Sequence, residues 1–174
     1  MAVDAFLVLH DKDGTPIEGE CTDDVFKGSI EIGKFNFDAI SGVEKHVRDS
    51  GALTRKLEVR SMAGGEESLD SFTFSIEKQM DKASPVLFLN YCQSMSKRSE
   101  GAPFKKATVY ICLPGIERKG KLEQTKEDVA WVILEFTKLS INQYGIRLDT
   151  ELNIPDENIM FFFETYKITY RPHM

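Results

Sequence analysis

Only three of the 174 residues are cysteines, Cys21, Cys92 and Cys112, and no two have C-x-x-C spacing. An odd count allows at most one internal bridge and leaves a thiol over, so the reading is three buried, reduced, structural thiols rather than a disulfide framework or a zinc ribbon. The chain also lacks long apolar runs. Its first one, residues 5–9, is too short for a membrane span and follows Asp4 with no basic residue before it. It therefore reads neither as a secretory signal nor as a membrane helix, and a protein that folds in the cytoplasm is expected. Positive charge is in deficit, with 22 Lys and Arg against 28 Asp and Glu and a net charge of −6. That balance argues against nucleic acid and against anionic membranes as partners. Tandem repeats and low-complexity linkers are missing too, so residues 1–174 read as one domain.

Catalytic patterns are equally scarce. His10, His46 and His173 fall at a strand end, in a loop and in the C-terminal tail, with no motif around any of them. Asp11, Asp13 and Glu18 superficially suggest a calcium loop. The glycine stands at the fourth position rather than the sixth, and the bidentate glutamate is missing, so a hairpin turn is the better reading. Asp23-Asp24 and Glu66-Glu67 read as solvated loop charge. Gly64-Gly65 has neither the G-x-G-x-x-G pattern nor the following helix that phosphate binding needs. Catalytic residues, metal ligands and cofactors are accordingly none.

What is present is hydrophobic alternation. Hydrophobic residues make up 41% of the chain, twelve of them Phe, enough to fill one core without metals or disulfides. Strands are expected at 2–9, 15–20, 28–40, 55–62, 107–113, 132–141 and 158–170. The first two are joined by the turn residues Asp11-Lys-Asp-Gly14. Two strands change phase. Ile30 and Ile32 give way to Phe35 and Phe37, which predicts a bulge at Gly33-Lys34, and Leu139 and Ile141 follow Phe136 on the opposite parity, which predicts another near Thr137-Lys138. Trp131 reads as a core residue at a strand start.

Residues 71–93 (SFTFSIEKQMDKASPVLFLNYCQ) combine a strand with Phe72, Phe74 and Ile76 on one face and a short helix. Ser84 is read as its N-cap and Pro85 as its first residue. Residues 86–92 are apolar on nearly every side except at Asn90, which predicts burial over most of the helix. The fold expected is mainly β: an antiparallel β-barrel, or curved two-sheet body, with one short helix packed on it and an extended loop at residues 42–54. Residues 159–163 are apolar at every position. Such a strand needs a second packing surface, and Ile159, Phe161, Phe162 and Phe163 are read as a subunit interface.

The order of these pieces carries a resemblance. SFTFSIEKQMDKASP followed by an apolar helix resembles the strand-to-helix unit of the Hcp family, the tube protein of bacterial type VI secretion. The opening MAVDAFLVL, the early GEC segment, the closing IPDENIMFFFETYKITYRPH and the total length resemble that family as well, from Ala2 to Pro172. The resemblance implies a homohexameric ring with a central channel. Its rings stack into a tube, meet the spike and a contractile sheath, and carry or shield small effector proteins. The polar segment 42–54 is similar to the family's flap against the neighbouring ring, which makes Glu44, Lys45, His46, Arg48 and Asp49 the ring-stacking residues. Phe35-Asn36-Phe37 resembles an aromatic–polar–aromatic stretch that turns Asn36 toward the lumen. Export through the type VI apparatus without a cleaved signal peptide is also implied. Some family members carry a toxin domain after the last strand, and with the sequence stopping at Met174 no C-terminal toxin extension is expected here. Two other readings remain open: a solitary β-barrel whose Phe side chains line a cavity for a small apolar ligand, and a hydrolase using Cys112 or His46 behind an unfamiliar motif.

Overall fold

The computed structural model describes residues 3–37, 44–49, 55–60, 73–96, 103–113, 124–151 and 154–171, with backbone alone at 44–49, 55–60 and 94–96. Phe72, His173, Gly64-Gly65 and Glu66-Glu67 lie outside the described residues. Ten strands and two helices are present among those described: β1 (Asp4–Asp11), β2 (Ile30–Ile32), β3 (Lys34–Phe37), β4 (Glu44–Asp49), β5 (Arg55–Arg60), β6 (Thr73–Gln79), α1 (Ser84–Ser96), β7 (Phe104–Cys112), α2 (Lys126–Val129), β8 (Val132–Arg147), β9 (Asp156–Phe162) and β10 (Thr165–Tyr170). All pairings are antiparallel. The main layer runs β2-β1-β7-β8-β10-β5-β4, and a four-strand layer runs β3-β6-β9-β8. Among the described residues the sheet does not close on itself into a barrel. Mainly antiparallel β with few helices is what the chain forms.

β8 joins the layers because it is long. Its first half pairs with β7 and β10, and from Ser140 onward it pairs with β9. The switch falls at Lys138, whose φ of 52° is the only positive value at a non-glycine among the described residues. The phase change expected at Thr137-Lys138 is therefore a left-handed residue, followed by a bulge between Ile141 and Gln143. The change expected at Gly33-Lys34 is a strand break. Ile30 and Ile32 pair on β1 while Phe35 and Phe37 pair on β6, and the Gly33 N–H donates to the Glu77 carbonyl at 2.8 Å.

The core fills the space between the layers. Phe74 stacks on Phe136 of the main layer at 4.3 Å and on Phe161 of β9 at 4.9 Å. All three are essentially fully buried, as are Leu7, Val109 and Ile159. A second cluster covers the other face of the main layer, where Phe26 stacks on Phe6 at 4.2 Å beside Tyr110, Cys112 and Val129.

Three expectations are corrected here. Residues 15–20 form no strand; the Asp11 carboxylate accepts from the Asp13 and Thr15 N–H groups at 2.9 Å, and only an isolated His10–Pro16 bridge follows. The last strand is two strands, β9 and β10, because the chain crosses from one layer to the other at Phe163-Glu164. Cys92 is exposed, whereas Cys21 and Cys112 are buried. Trp131 is half-buried, edge-on to Tyr170 at 5.8 Å.

The GEC segment has a packing reason. A Cβ on Gly19 would stand 2.4 Å from the Ser29 carbonyl oxygen and 2.9 Å from the Ile30 Cα. These are backbone atoms that cannot swing aside. Gly19→Ala is therefore expected to cost about 1–3 kcal/mol by overpacking, read as a lower midpoint in urea with an unchanged slope.

Candidate assembly surface

The candidate surface falls on three separate elements. The first is the segment 156–163. Ile159 and Phe161 are 0% exposed and Phe163 is 4% exposed, all in the core of one chain. A subunit interface built on these three is thus corrected: they face inward because the strand parity and the layer crossing at Phe163 both point them there. Phe162 is half-buried on the opposite face, where it pairs across to Thr73 and Ser140. The apolar run is continuous because it serves two faces.

That opposite face belongs to the four-strand layer. Phe35 and Phe37 lean into the core, and Phe37 meets Phe136 at 5.5 Å. Asn36 between them is exposed on the outer face. Asn36 pairs with Ser75, Ser75 with Met160, and Met160 with Gln143, a row across all four strands. Met160 is the one apolar member of that row, and the next row is Lys34, Glu77, Asn158 and Gly145. Among the described residues no strand pairs with the free side of β3, or with residues 140–147 of β8 on the side away from β9.

The second element is α1. The expectation of burial over most of its surface is wrong. Leu87 and Ala83 just before the helix are fully buried and Tyr91 is half-buried. Val86, Phe88 and Leu89 are 43%, 48% and 56% exposed. A helix that is apolar all round yet half in solvent carries an unpartnered apolar face. Phe88 is fixed edge-on to Tyr144 of β8 at 5.4 Å. Ile146, two residues further along the same strand, and Leu148 are likewise exposed.

Ser84 does not act as the N-cap. The Asp81 carboxylate accepts from the Ala83 N–H at 3.0 Å, and the Ser84 hydroxyl reaches back to accept from the Asp81 N–H at 2.9 Å. The hydroxyl then enters a buried polar cluster. It donates to Glu157 Oε2 at 2.7 Å and accepts from Lys78 Nζ at 3.1 Å. Lys78 Nζ also meets Glu157 Oε2 at 2.6 Å, Asp81 Oδ1 at 2.8 Å and the Gln79 carbonyl at 2.9 Å. The side chains of Lys78 and Glu157 are 0% and 1% exposed. Tyr144 donates its hydroxyl to Glu157 Oε1; burial first, then the Glu157 hydrogen bond and charge, push the phenol well above its ordinary pKa.

The third element is β4. Residues 44–49 were expected in a loop, and they form a strand paired with β5 from Glu44–Arg60 to Asp49–Arg55. The side chains of Glu44, Lys45, His46, Arg48 and Asp49 lie outside the described residues.

Chemistry is sparse elsewhere. His10 is half-buried, and burial followed by Lys106 and Lys126 holds its pKa below the usual imidazole value. Among the described residues no three His, Cys, Asp or Glu side chains group to hold a metal ion. An open groove of about 640 Å³ is lined by carboxylates, including Asp4, Glu20, Asp23, Glu31, Glu77 and Asp156, with Phe6 its one Phe. Among the described residues the buried phenylalanines pack on one another, Phe6 on Phe26 and Phe74 on Phe136 and Phe161.

The polar cluster and α2 were not found by sequence reasoning. For α2 the signal was present: Thr125-x-x-Asp128 is a reciprocal capping box. For Lys78 and Glu157, 79 positions apart, there was none.

Known proteins share this fold. The family profile described as Type VI secretion system effector, Hcp, matches residues 6–170. Among solved structures, a type six secretion system protein is 21% identical with a TM-score of 0.62, over 99% of this chain and 86% of that one. Hcp1 from Salmonella typhimurium is 20% identical with a TM-score of 0.57, over 99% and 88%. The secreted protein Hcp3 from Pseudomonas aeruginosa is 11% identical with a TM-score of 0.58, over 99% and 100%. No curated protein matches the chain in sequence.

Proposed function

Because this chain belongs to the Hcp family and is a structural tube protein of type VI secretion rather than an enzyme, we propose that six copies close head-to-tail into a ring whose channel is lined by the four-strand layer. The observation that carries this is the pair of free edges. β3, β6, β9 and β8 alternate in direction, so β3 and the second half of β8 run oppositely. Pairing β8 of one copy with β3 of the next continues the antiparallel alternation around the ring. Such an interface is heterologous, and it terminates only if its rotation closes. The barrel expected from the sequence is then a property of the assembly. It also uses edges that would otherwise be templates for uncontrolled pairing.

On this reading Asn36, Ser75 and Gln143 face the lumen, where a polar wall suits the passage or shielding of small effector proteins. The exposed face of α1 with Ile146 is covered by the neighbouring copy, and Phe162 is the member of the 159–163 run available to a partner. The strand carrying Glu44, Lys45, His46, Arg48 and Asp49 sets register between stacked rings, because mixed charges fix orientation more than they add affinity. Tube, spike and sheath components are the remaining partners. The protein is a secreted component of its system, leaving through the apparatus itself without a cleaved signal peptide. Among the described residues no helix is long and apolar enough to cross a membrane.

Electron microscopy of the purified chain tests this reading: annular particles with a central hole are expected. Deleting residues 45–50 is expected to leave single rings and abolish stacked tubes. Particles of monomer size in the intact protein would refute the ring, and rings lost on deletion would move β4 to the lateral interface.

A further inference from the structure

We propose that the buried Lys78–Glu157 pair is a positioning device for assembly, holding α1 at the tilt that presents Val86, Phe88 and Leu89 to the next copy. The proposal rests on the reading of that face as a contact between copies.

The apolar anchorage of α1 is thin. Among residues 84–93, whose side chains are described, Leu87 is the fully buried apolar one, with Ala83 just ahead of the helix and Tyr91 half-buried below. One large side chain in a socket fixes a point but leaves the helix free to pivot about it. The pivot is removed at Ser84. Its hydroxyl is held by Lys78 of β6 and Glu157 of β9, and its carbonyl lies 3.5 Å from the Tyr144 hydroxyl of β8, whose one proton is given to Glu157. These are three adjacent strands of one layer, so the first turn of the helix is triangulated. Phe88, one turn on, rests edge-on against the same Tyr144 ring, so the exposed face inherits that reference.

The chemistry favours positioning over stability. A buried ion pair gains little over well-packed apolar side chains of similar volume, because both charges must leave water. Unlike an apolar contact, it does not tolerate sliding. Four acceptors surround the Lys78 ammonium, while Glu157 Oε2 serves Lys78 and Ser84 and Oε1 serves Tyr144. Moving the helix by an ångström would break the two bonds that Ser84 makes to Lys78 and Glu157. The same four-strand layer carries the free edges, so the cluster ties the helix face and the strand edges into one rigid contact surface.

The double variant K78M/E157Q removes both charges of the pair together and leaves Asp81, 12% exposed, to the Ala83 N–H. Val109→Ala, in the core on β7, is the control for a general loss of stability. Hydrogen exchange at the α1 amides and solution mass across a dilution series are the readouts. The double variant is expected to speed exchange in α1 by about tenfold or more while the sheet amides keep their protection. Its ring should come apart at about tenfold higher protein concentration or more. Val109→Ala should slow no assembly step and leave α1 exchange in step with the sheet. Unchanged exchange in α1, or a ring as dilution-resistant as the wild type, overturns the proposal. Should the double variant fail to fold, Ser84→Ala deletes the helix's side of the contact, keeps the ion pair, and is judged by the same two readouts. A wild type that is monomeric at every concentration would instead refute the ring reading, and α1 exchange would then still decide whether the pair positions the helix.

Discussion

Replacing Phe161 by alanine is expected to cost about 3–5 kcal/mol, the range for deleting a fully buried aromatic side chain. Phe161 is 0% exposed and stacks on Phe74 at 4.9 Å, with Phe104 edge-on at 6.1 Å. At roughly 2–4 °C per kcal/mol for a chain of this size, the melting temperature should fall by about 6–20 °C. Phe162→Ala, one residue on, removes a half-buried ring on the other face and should move the melting temperature far less. The comparison separates two uses of the same apolar run. If Phe161→Ala leaves the melting temperature within a degree or two but dissolves the oligomer, Phe161 is an interface residue and the packing described here is wrong.

The second large effect belongs to α1. The double substitution of Phe88 and Leu89 by aspartate places two carboxylates on side chains that are 48% and 56% exposed in the single chain. Each chain should still fold, since the fully buried core is untouched and the loss is confined to the half-exposed contact of Phe88 with the Tyr144 ring. Assembly should fail, because a carboxylate desolvated without a partner costs several kcal/mol at every one of the identical contacts. Far-ultraviolet circular dichroism should keep its β signal while the ring disappears. A ring that survives with both aspartates in place would show that the helix faces solvent in the assembly.

The sequence made the strands legible where one face alternates. β1, β7 and the first half of β8 lie within a few residues of where alternation put them, and both phase changes mark real events at Gly33 and Lys138. It misled where one residue serves two purposes. The run 159–163 is apolar throughout because Ile159 and Phe161 fill the core, Met160 and Phe162 lie on the outer face, and Phe163 crosses between layers. Alternation cannot tell that case from a strand buried on both faces. The same ambiguity overturned the burial of α1: residues 86–92 are apolar on every side, and composition does not say which side a single chain covers. Ser84 looked like a cap because Ser-Pro opens many helices, yet its hydroxyl is committed to partners in β6 and β9 that no local pattern connects. Asn36 was placed by likeness to a family stretch, and the alternation of Phe35 and Phe37 into the core turns it outward for an elementary steric reason.

Light scattering on the freshly purified wild-type chain tests the central claim most directly. Closed rings of six copies of a 19.7 kDa chain have a mass of six times that, about 118 kDa. Masses at whole multiples of that value are expected where rings stack. A single species of 19.7 kDa, folded and stable on dilution and on concentration, would contradict the account.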